Sequence, residues 1–353
     1  MLWPAARLCR ARHWSVVIVS ESSLRDAVCL VTGAGGFIGS HLCDRLVEEG
    51  AQVLAMSSQV SRLLPARLTH LADRVEIVEA NLQDTAAVRL LVERVRPRFV
   101  FHLGAYTHVG RSFDHVDESL QTNVAGTVNL LCGLRGCDYE SFVYAGTSEI
   151  YGGAGEVPFR EDAVVAPLSP YAVSKYAGEQ YCRMFHEAYG WPIVMVRPFN
   201  TYGPRQSPDR VIPELIVGAL RGEPVAMTSG TQTREFNYVT DIADGFIRAA
   251  LAGRGAHGAI INLGCSEEHS IRQIAERITA MMDGAPAPRF AALSHRPTEI
   301  WRMFCDNTRA RALLGWAPHH RLDEGLRLTI DFYATEQRRG DSAYLLAPSR
   351  WSR

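Results

Sequence analysis

Short apolar runs alternate along this chain with longer stretches that repeat apolar residues at helical spacing. Residues 27–32 form an apolar run that predicts a strand, and residues 37–49 predict an amphipathic helix closed by Gly50. The same reading gives strands at 52–56, 74–79, 99–103, 141–145 and 193–197. It gives helices at 85–95, ended by Pro97, and at 120–134 and 171–189. Strand and helix alternating at this spacing predict an α/β fold, a doubly wound parallel sheet with helices on both faces.

The rhythm changes after Pro198. Residues 204–209 read as a loop, 234–239 and 259–263 as strands, and 212–220, 241–251, 271–282, 308–314 and 322–335 as helices. A proline-bearing segment spans 285–297. The expected organisation is an extension over 1–26, a nucleotide-binding domain over 27–198, a smaller and mainly substrate-binding lobe over 199–337, and a tail over 338–353. Length agrees: 353 residues at ~150 per domain suggest two units. With 47% hydrophobic and 21% charged residues the composition is that of a globular protein, which excludes disorder or a fibre as the main state.

Charge and cysteine content narrow the classes. Lys and Arg total 37 and Asp and Glu 38, so there is no basic field to bind nucleic acid. No apolar run reaches the ~20 residues that span a bilayer, so no membrane role is expected. The eight cysteines are scattered without a Cys-x-x-Cys pair, which suits neither a disulfide framework nor zinc and points to a reducing cytoplasm. No metal is expected, because no paired Cys/His or His-Glu-x-x-His arrangement occurs among the 12 histidines.

Gly33-Ala34-Gly35-Gly36-Phe37-Ile38-Gly39 joins the first strand to the first helix. Glycines at such a junction let backbone amides approach a pyrophosphate, and the helix start adds partial positive charge. In this βαβ setting the turn predicts a Rossmann-type site for NAD or NADP. The second strand ends in Ser57 and Ser58, with Arg62 following, where a carboxylate usually meets the adenine ribose. Nothing there repels a 2′-phosphate, which tilts the expectation slightly toward NADP; loose backbone binding of NAD is the competing reading. Asn81, Leu82 and Leu103, at or just past later strand ends, complete the candidate cofactor wall.

Tyr171 and Lys175 stand one helical turn apart after Ser169-Pro170. A phenol titrates near about 10, too high for a base at neutral pH, and a nearby ammonium favours the phenolate. Thr147, Ser148 and Glu149 lie just past the fifth strand, at the carboxyl end where a parallel sheet opens onto its ligand. Any of these residues alone would read as an ordinary helix pair or turn.

Together they resemble the extended short-chain dehydrogenase/reductase superfamily, in its sugar-nucleotide epimerase/dehydratase branch. The likeness covers about residues 27–335. It includes Arg197-Pro198-Phe199-Asn200-Thr201-Tyr202-Gly203-Pro204, Thr233-Arg234-Glu235-Phe236-Asn237-Tyr238-Val239-Thr240-Asp241 and Leu313-Leu314-Gly315-Trp316. The Thr147-Ser148-Glu149 run and His108-Val109-Gly110-Arg111-Ser112 look like those of GDP-mannose 4,6-dehydratase-like enzymes. UDP-glucuronate decarboxylases carry a near-identical run, whereas C4 epimerases usually have a small residue at the Glu149 position.

The resemblance implies a lyase that oxidises C4 of a nucleotide sugar, eliminates water across C5 and C6, and returns the hydride. Tyr171, Lys175, Thr147, Ser148 and Glu149 would be catalytic. Asn200, Arg234 and Arg296 would meet sugar and diphosphate, joined by His108 and Arg111 and, more weakly, Arg205 and Arg210; a planar guanidinium fork suits a diphosphate. The segment Arg296-Pro297-Thr298-Glu299 departs from the commoner form with Gly in third place. The resemblance also implies a homodimer through helices 120–134 and 171–189. Decarboxylation, epimerisation and a non-catalytic dinucleotide sensor remain as alternatives.

Overall fold

The computed structural model describes residues 23–58, 67–153, 155–296, 298–340 and 345. Its centre is a seven-stranded parallel sheet of β1 (Val28–Thr32), β2 (Gln52–Ser57), β3 (Val75–Glu79), β4 (Phe99–His102), β5 (Ser141–Ala145), β6 (Ile193–Pro198) and β10 (Ile260–Leu263). The order is β10-β6-β5-β4-β1-β2-β3, so the chain reverses direction beside β1, where a doubly wound sheet opens its ligand crevice. These strands are apolar throughout because both faces are covered. On one face α1 (Phe37–Glu48) packs with a helix from the second half, which contributes Ile242, Phe246 and Ile247. On the other face Leu91, Leu131, Cys182 and Phe185 meet Val100, Phe142 and Met195 of the strands.

Local chemistry sets the helix ends. Asp84 caps α2 (Thr85–Val95) by accepting the amides of Ala86 and Ala87. The next helical stretch starts at Val116, earlier than the pattern predicts: α3 (Val116–Leu120) runs through a π-helical turn, Gln121–Ala125, into α4 (Gly126–Gly133). Within that turn Asn123 donates to Ser174 Oγ (2.9 Å) and accepts the Tyr106 amide (2.7 Å). The extra turn residue turns a polar side chain inward. Ser169 caps α5 (Pro170–Tyr189), Pro170 occupies its first turn, and Gly190 closes it at φ +68°.

Past β6 the elements are short. The predicted strand at 234–239 is two pieces, β8 (Thr233–Arg234) and β9 (Asn237–Tyr238), pairing with different partners: β9 with β7 (Thr201–Tyr202), β8 with β11 (His269–Ser270) and β12 (Arg302–Met303). Strands of two residues leave no periodicity to read. Helices α6 (Val211–Arg221), α7 (Val239–Leu251), α8 (Ile271–Met281), α9 (Thr308–Leu314) and α10 (Leu322–Arg339) complete the chain. Helix α10 runs to Arg339, so Arg338 is helical and not part of a tail; Tyr333, its hydroxyl donating to the Gln206 carbonyl, and Glu336 anchor the last turns. The arginines at 7, 10 and 12 lie outside the described residues.

One buried ion pair binds these parts together. Arg197 of β6 grips Glu179 of α5 with two parallel bonds (2.8 and 2.7 Å), both side chains 2% exposed or less. Its remaining nitrogen donates to the Tyr151 hydroxyl (2.7 Å), which donates to Asn262 of β10 (2.7 Å). Breaking a buried pair strands a charge in the core. Glu179→Gln or Arg197→Met should therefore cost about 3–5 kcal/mol in denaturant unfolding. The double apolar change Glu179→Leu/Arg197→Met should recover much of it; two single changes below ~1 kcal/mol each would contradict this account.

Candidate active site

The carboxyl ends of β1, β2, β4 and β5 open into one cleft of about 1450 Å³, continuous with the loops of the second half. A pocket for one small ligand usually holds roughly 300–1,000 Å³, so this cleft has room for two ligands side by side. Its wall includes Gly33, Gly36, Phe37, Ile38, Gly39, Ser57, Ser58, Asn81, Leu82 and Leu103 at one end. Arg62 lies outside the described residues.

The glycines fit a dinucleotide's pyrophosphate. Gly33 has φ +70°, and a Cβ there would sit 2.7 Å from the Gly104 nitrogen; at Gly39 it would meet the Gly33 carbonyl at 2.2 Å. Only glycine allows this close turn. Gly36, the N-cap of α1, offers no capping side chain, and no acid stands in the first turn. The helix start therefore faces the cleft with unsatisfied amides and partial positive charge, the arrangement that receives a phosphate.

At the centre, Thr147 starts the 3₁₀ turn Ser148–Tyr151 and accepts the Glu149 amide (3.2 Å). The Thr147 side chain also lies near enough to the Tyr171 phenol to oppose the rise in its titration. Thr147, Ser148, Glu149, Tyr171 and Lys175 all line the cleft. Ser112 Oγ accepts the Tyr171 amide (3.2 Å) and donates to the Val109 carbonyl (2.7 Å), tying the start of α5 to the loop after β4. Lys175 is 2% exposed, and its ammonium lies over the Tyr144 ring, 4.3 Å from the centroid.

Burial governs the titration of this group. It pushes the Glu149 carboxyl up from its ordinary value; Arg234, Arg296 and Arg210 pull it down and Glu299 adds to the rise. Burial also pushes the Tyr171 phenol up, Thr147 opposing and Glu149 reinforcing, so the lowering expected from Lys175 is not what the protein packing supplies. Burial brings the Lys175 ammonium down to about 8, with Cys182 and Glu179 resisting.

The far end of the cleft is lined by His108, Asn200, Arg210, Arg234 and Arg296. Arg234 pairs with Glu299 (3.1 Å), each 14% exposed, and His108 faces Asp209 (3.4 Å). Two expectations fail. Arg205 points away from the cleft: it pairs with Asp44 of α1 and donates to the Arg67 carbonyl (3.0 Å), because its positive φ of +66° turns the loop back over α1. Arg111 is exposed and outside the cleft wall, because its short 3₁₀ turn directs the neighbouring Ser112 inward in its place. Sequence reasoning missed Ser112, Glu299 and Arg67; Ser112 and Glu299 sat inside the His108 and Arg296 segments, while Arg67 carries no spacing signal. Among the described residues no group of three or more His, Cys, Asp or Glu is arranged for a metal ion.

The comparisons agree with this geometry. A UDP-glucose 4-epimerase of Mycolicibacterium smegmatis is 35% identical over 86% of this chain and 97% of its own. A dTDP-glucose 4,6-dehydratase of Xanthomonas campestris is 33% identical over 88% and 94%, and the human dTDP-D-glucose 4,6-dehydratase 31% over 86% and 89%. Among solved structures, the UDP-glucose 4-epimerase of Thermotoga maritima with UDP-glucose superposes with a TM-score of 0.81 at 29% identity, covering 87% of this chain and 99% of that one. The UDP-glucuronic acid 4-epimerase of Bacillus cereus, in complex with UDP-glucuronic acid and NAD, gives 0.79 at 30%, covering 87% and 99%. The family model described as GDP-mannose 4,6 dehydratase matches residues 30–329, and the chain belongs to that family.

Proposed function

We propose that this protein is a sugar-nucleotide 4,6-dehydratase, a lyase converting a nucleoside-diphosphate hexose to its 4-keto-6-deoxy form. The observation that carries the reading is Tyr171 and Glu149 lining one cleft together with Thr147, whose hydroxyl accepts the Glu149 amide. One supplies a phenol for a hydroxyl proton, the other a carboxylate for a carbon acid. NAD in the Bacillus cereus relative supports a nicotinamide dinucleotide in the glycine-lined end. That group, when bound, supplies a reversible hydride acceptor, regenerated within each turnover.

The chain's own residues then divide the proton work. Tyr171 takes the C4 hydroxyl proton, with Thr147 sharing the hydrogen bond. The ketone formed acidifies C5, and Glu149 removes that proton. Glu149 or Ser148 returns a proton to the departing C6 hydroxyl, so one water is the net loss. Lys175, packed against Tyr144, holds positive charge beneath the Tyr171 turn. Arg234, Arg296 and Arg210 hold the diphosphate, and Asn200 and His108 the sugar.

We place the reaction in the cytoplasm, in keeping with the seven described cysteines being free thiols; among the described residues no helix is long and apolar enough to cross a membrane. We further propose a homodimer. Val116 and Leu120 of α3 and Val173, Tyr181 and Met184 of α5 stand exposed on neighbouring helices, a patch that a second copy would cover. A second reading, C4 epimerisation, is favoured by the Mycolicibacterium smegmatis relative.

Incubation with NDP-hexoses and mass measurement tests the main reading: the product should be lighter by one water. An unchanged mass with a new epimer, or loss of carbon dioxide from an NDP-glucuronate, would replace it. Tyr171→Phe should cut turnover by about 10²–10⁴-fold. Glu149→Gln should block elimination to a similar degree while reduced nicotinamide still forms on adding substrate. If Tyr171→Phe left the biological activity of the protein untouched, a non-catalytic dinucleotide sensor would be the better reading.

The pH profile follows from Glu149. Its folded value is raised and it must be ionised to take a proton, so kcat/KM should fall with acid at a pH above that of an ordinary carboxylate. Glu299→Gln removes a repelling charge and should move that limb to lower pH; Arg234→Gln should move it up. Tyr181→Glu with Met184→Glu should yield monomers in light scattering.

A further inference from the structure

We propose that Tyr144 is a positioning residue for the reaction: its ring face holds the Lys175 ammonium charged at the cleft wall, and its hydroxyl fixes the Lys175 backbone. This rests on the reading of Lys175 as part of the catalytic group. Of the 37 Lys and Arg residues in the chain, Lys175 alone is a lysine. The others carry a guanidinium, which is planar, forked and permanently charged. The single compact ammonium, a cation able to titrate, stands in the cleft wall over an aromatic ring.

Tyr144 belongs to β5 and has no exposed surface. Its ring centroid is 4.3 Å from Lys175 Nζ, and its hydroxyl donates to the Lys175 carbonyl (2.9 Å). One side chain thus holds both the backbone and the charged end of the residue it faces. Gly178, three residues further along α5, leaves the slot for that hydroxyl, because a Cβ there would strike it. His102 of β4 packs against the same ring, 5.8 Å between centroids. His102 is itself held between Thr32 (2.8 Å) and Thr127 (2.9 Å), so the ring has a fixed neighbour to rest on. A cation over an aromatic face is drawn to its negative centre, most strongly where water is excluded.

The titratable groups around Lys175 supply no free counter-charge. On α5, Glu179 has both oxygens engaged by Arg197 of β6. Burial pushes up the Cys182 thiol and the Tyr171 phenol, which keeps both neutral. On β4, burial and then Lys175 bring His102 down to about 3, so it is neutral as well. Burial also raises the Tyr144 phenol far above its ordinary value, leaving the ring uncharged. Attraction from the ring face is therefore what offsets the desolvation of the ammonium.

A single lysine makes the test direct. The full chain labelled with ¹³C-lysine gives one lysine side-chain signal, whose pH titration reads Lys175 without substrate. In the wild type its ε-methylene should lie upfield of free lysine through the ring current and titrate at about 8. Tyr144→Leu should abolish the upfield position and titrate about one pH unit lower, whereas Tyr144→Phe, which keeps the ring, should retain both. For kcat/KM on an NDP-hexose, the loss in Tyr144→Leu should be about fivefold greater at pH 8 than at pH 6. A merely structural defect would lower activity alike at both. Tyr144→Met replaces Tyr144→Leu if that variant does not fold. A wild-type signal without the ring-current displacement, a leucine variant titrating at or above the wild type, or equal losses at the two pH values would each overturn the proposal. Tyr144→Phe behaving like Tyr144→Leu would remove the ring as the holding group. If the wild type turned over no nucleotide sugar, the proposed function would fall, while the lysine titration would still decide the role of Tyr144.

Discussion

The two-pronged contact between Arg197 and Glu179 is the constraint on which the rest of the architecture leans. It joins a strand of the main sheet to the middle of α5, one turn beyond Lys175, and its third arm holds Tyr151 at the end of the turn carrying Glu149. Two reactive groups from segments more than twenty residues apart are thus referred to one rigid object. A buried ion pair contributes little net stability when complete. Its use here is geometric: any shift of α5 against the turn would break several bonds at once.

Burial supplies the chemistry as well as the rigidity. The same desolvation that raises the Glu149 carboxyl and the Tyr171 phenol brings the Lys175 ammonium down. Each group is moved toward its neutral form, so the Tyr171 phenol must give up its proton before it can act as a base, while the Glu149 carboxylate, once ionised, is a stronger base than an exposed one. The arginines at the far end act against this for Glu149, and Glu299 acts with it. The carboxylate is therefore tuned by the arginines to which the proposed function assigns the diphosphate, and on that proposal the seating of substrate is coupled to the readiness of the base.

Much of the sheet was legible because strands covered on both faces are continuous apolar runs. Ser141–Ala145, Thr85–Val95 and Thr308–Leu314 fall where the pattern puts them. The π turn at Gln121–Ala125 was not legible, since one extra residue in a helix leaves the apolar rhythm almost unchanged. The two-residue strands of the second half are defined by partners and have no period. In the cleft, residues carried by motifs with a fixed place on a strand or helix, such as Thr147 and Tyr171, arrive where expected. Arg205 and Arg111 sit on loops, where one positive φ or one 3₁₀ turn decides which side chain faces inward.

The seventh strand has a consequence of its own. Ile260–Leu263 comes from the second half of the chain, yet it pairs with Met195–Pro198 of β6 and closes that side of the main sheet. A fragment cut at Pro198 would present a bare row of amides and carbonyls beside Met195 and Val196, an edge apt to recruit a foreign chain. Evolution or engineering that exchanges the substrate-facing part between relatives must therefore carry this strand along or graft a substitute for it. The natural seam for recombination in this architecture is a discontinuous one.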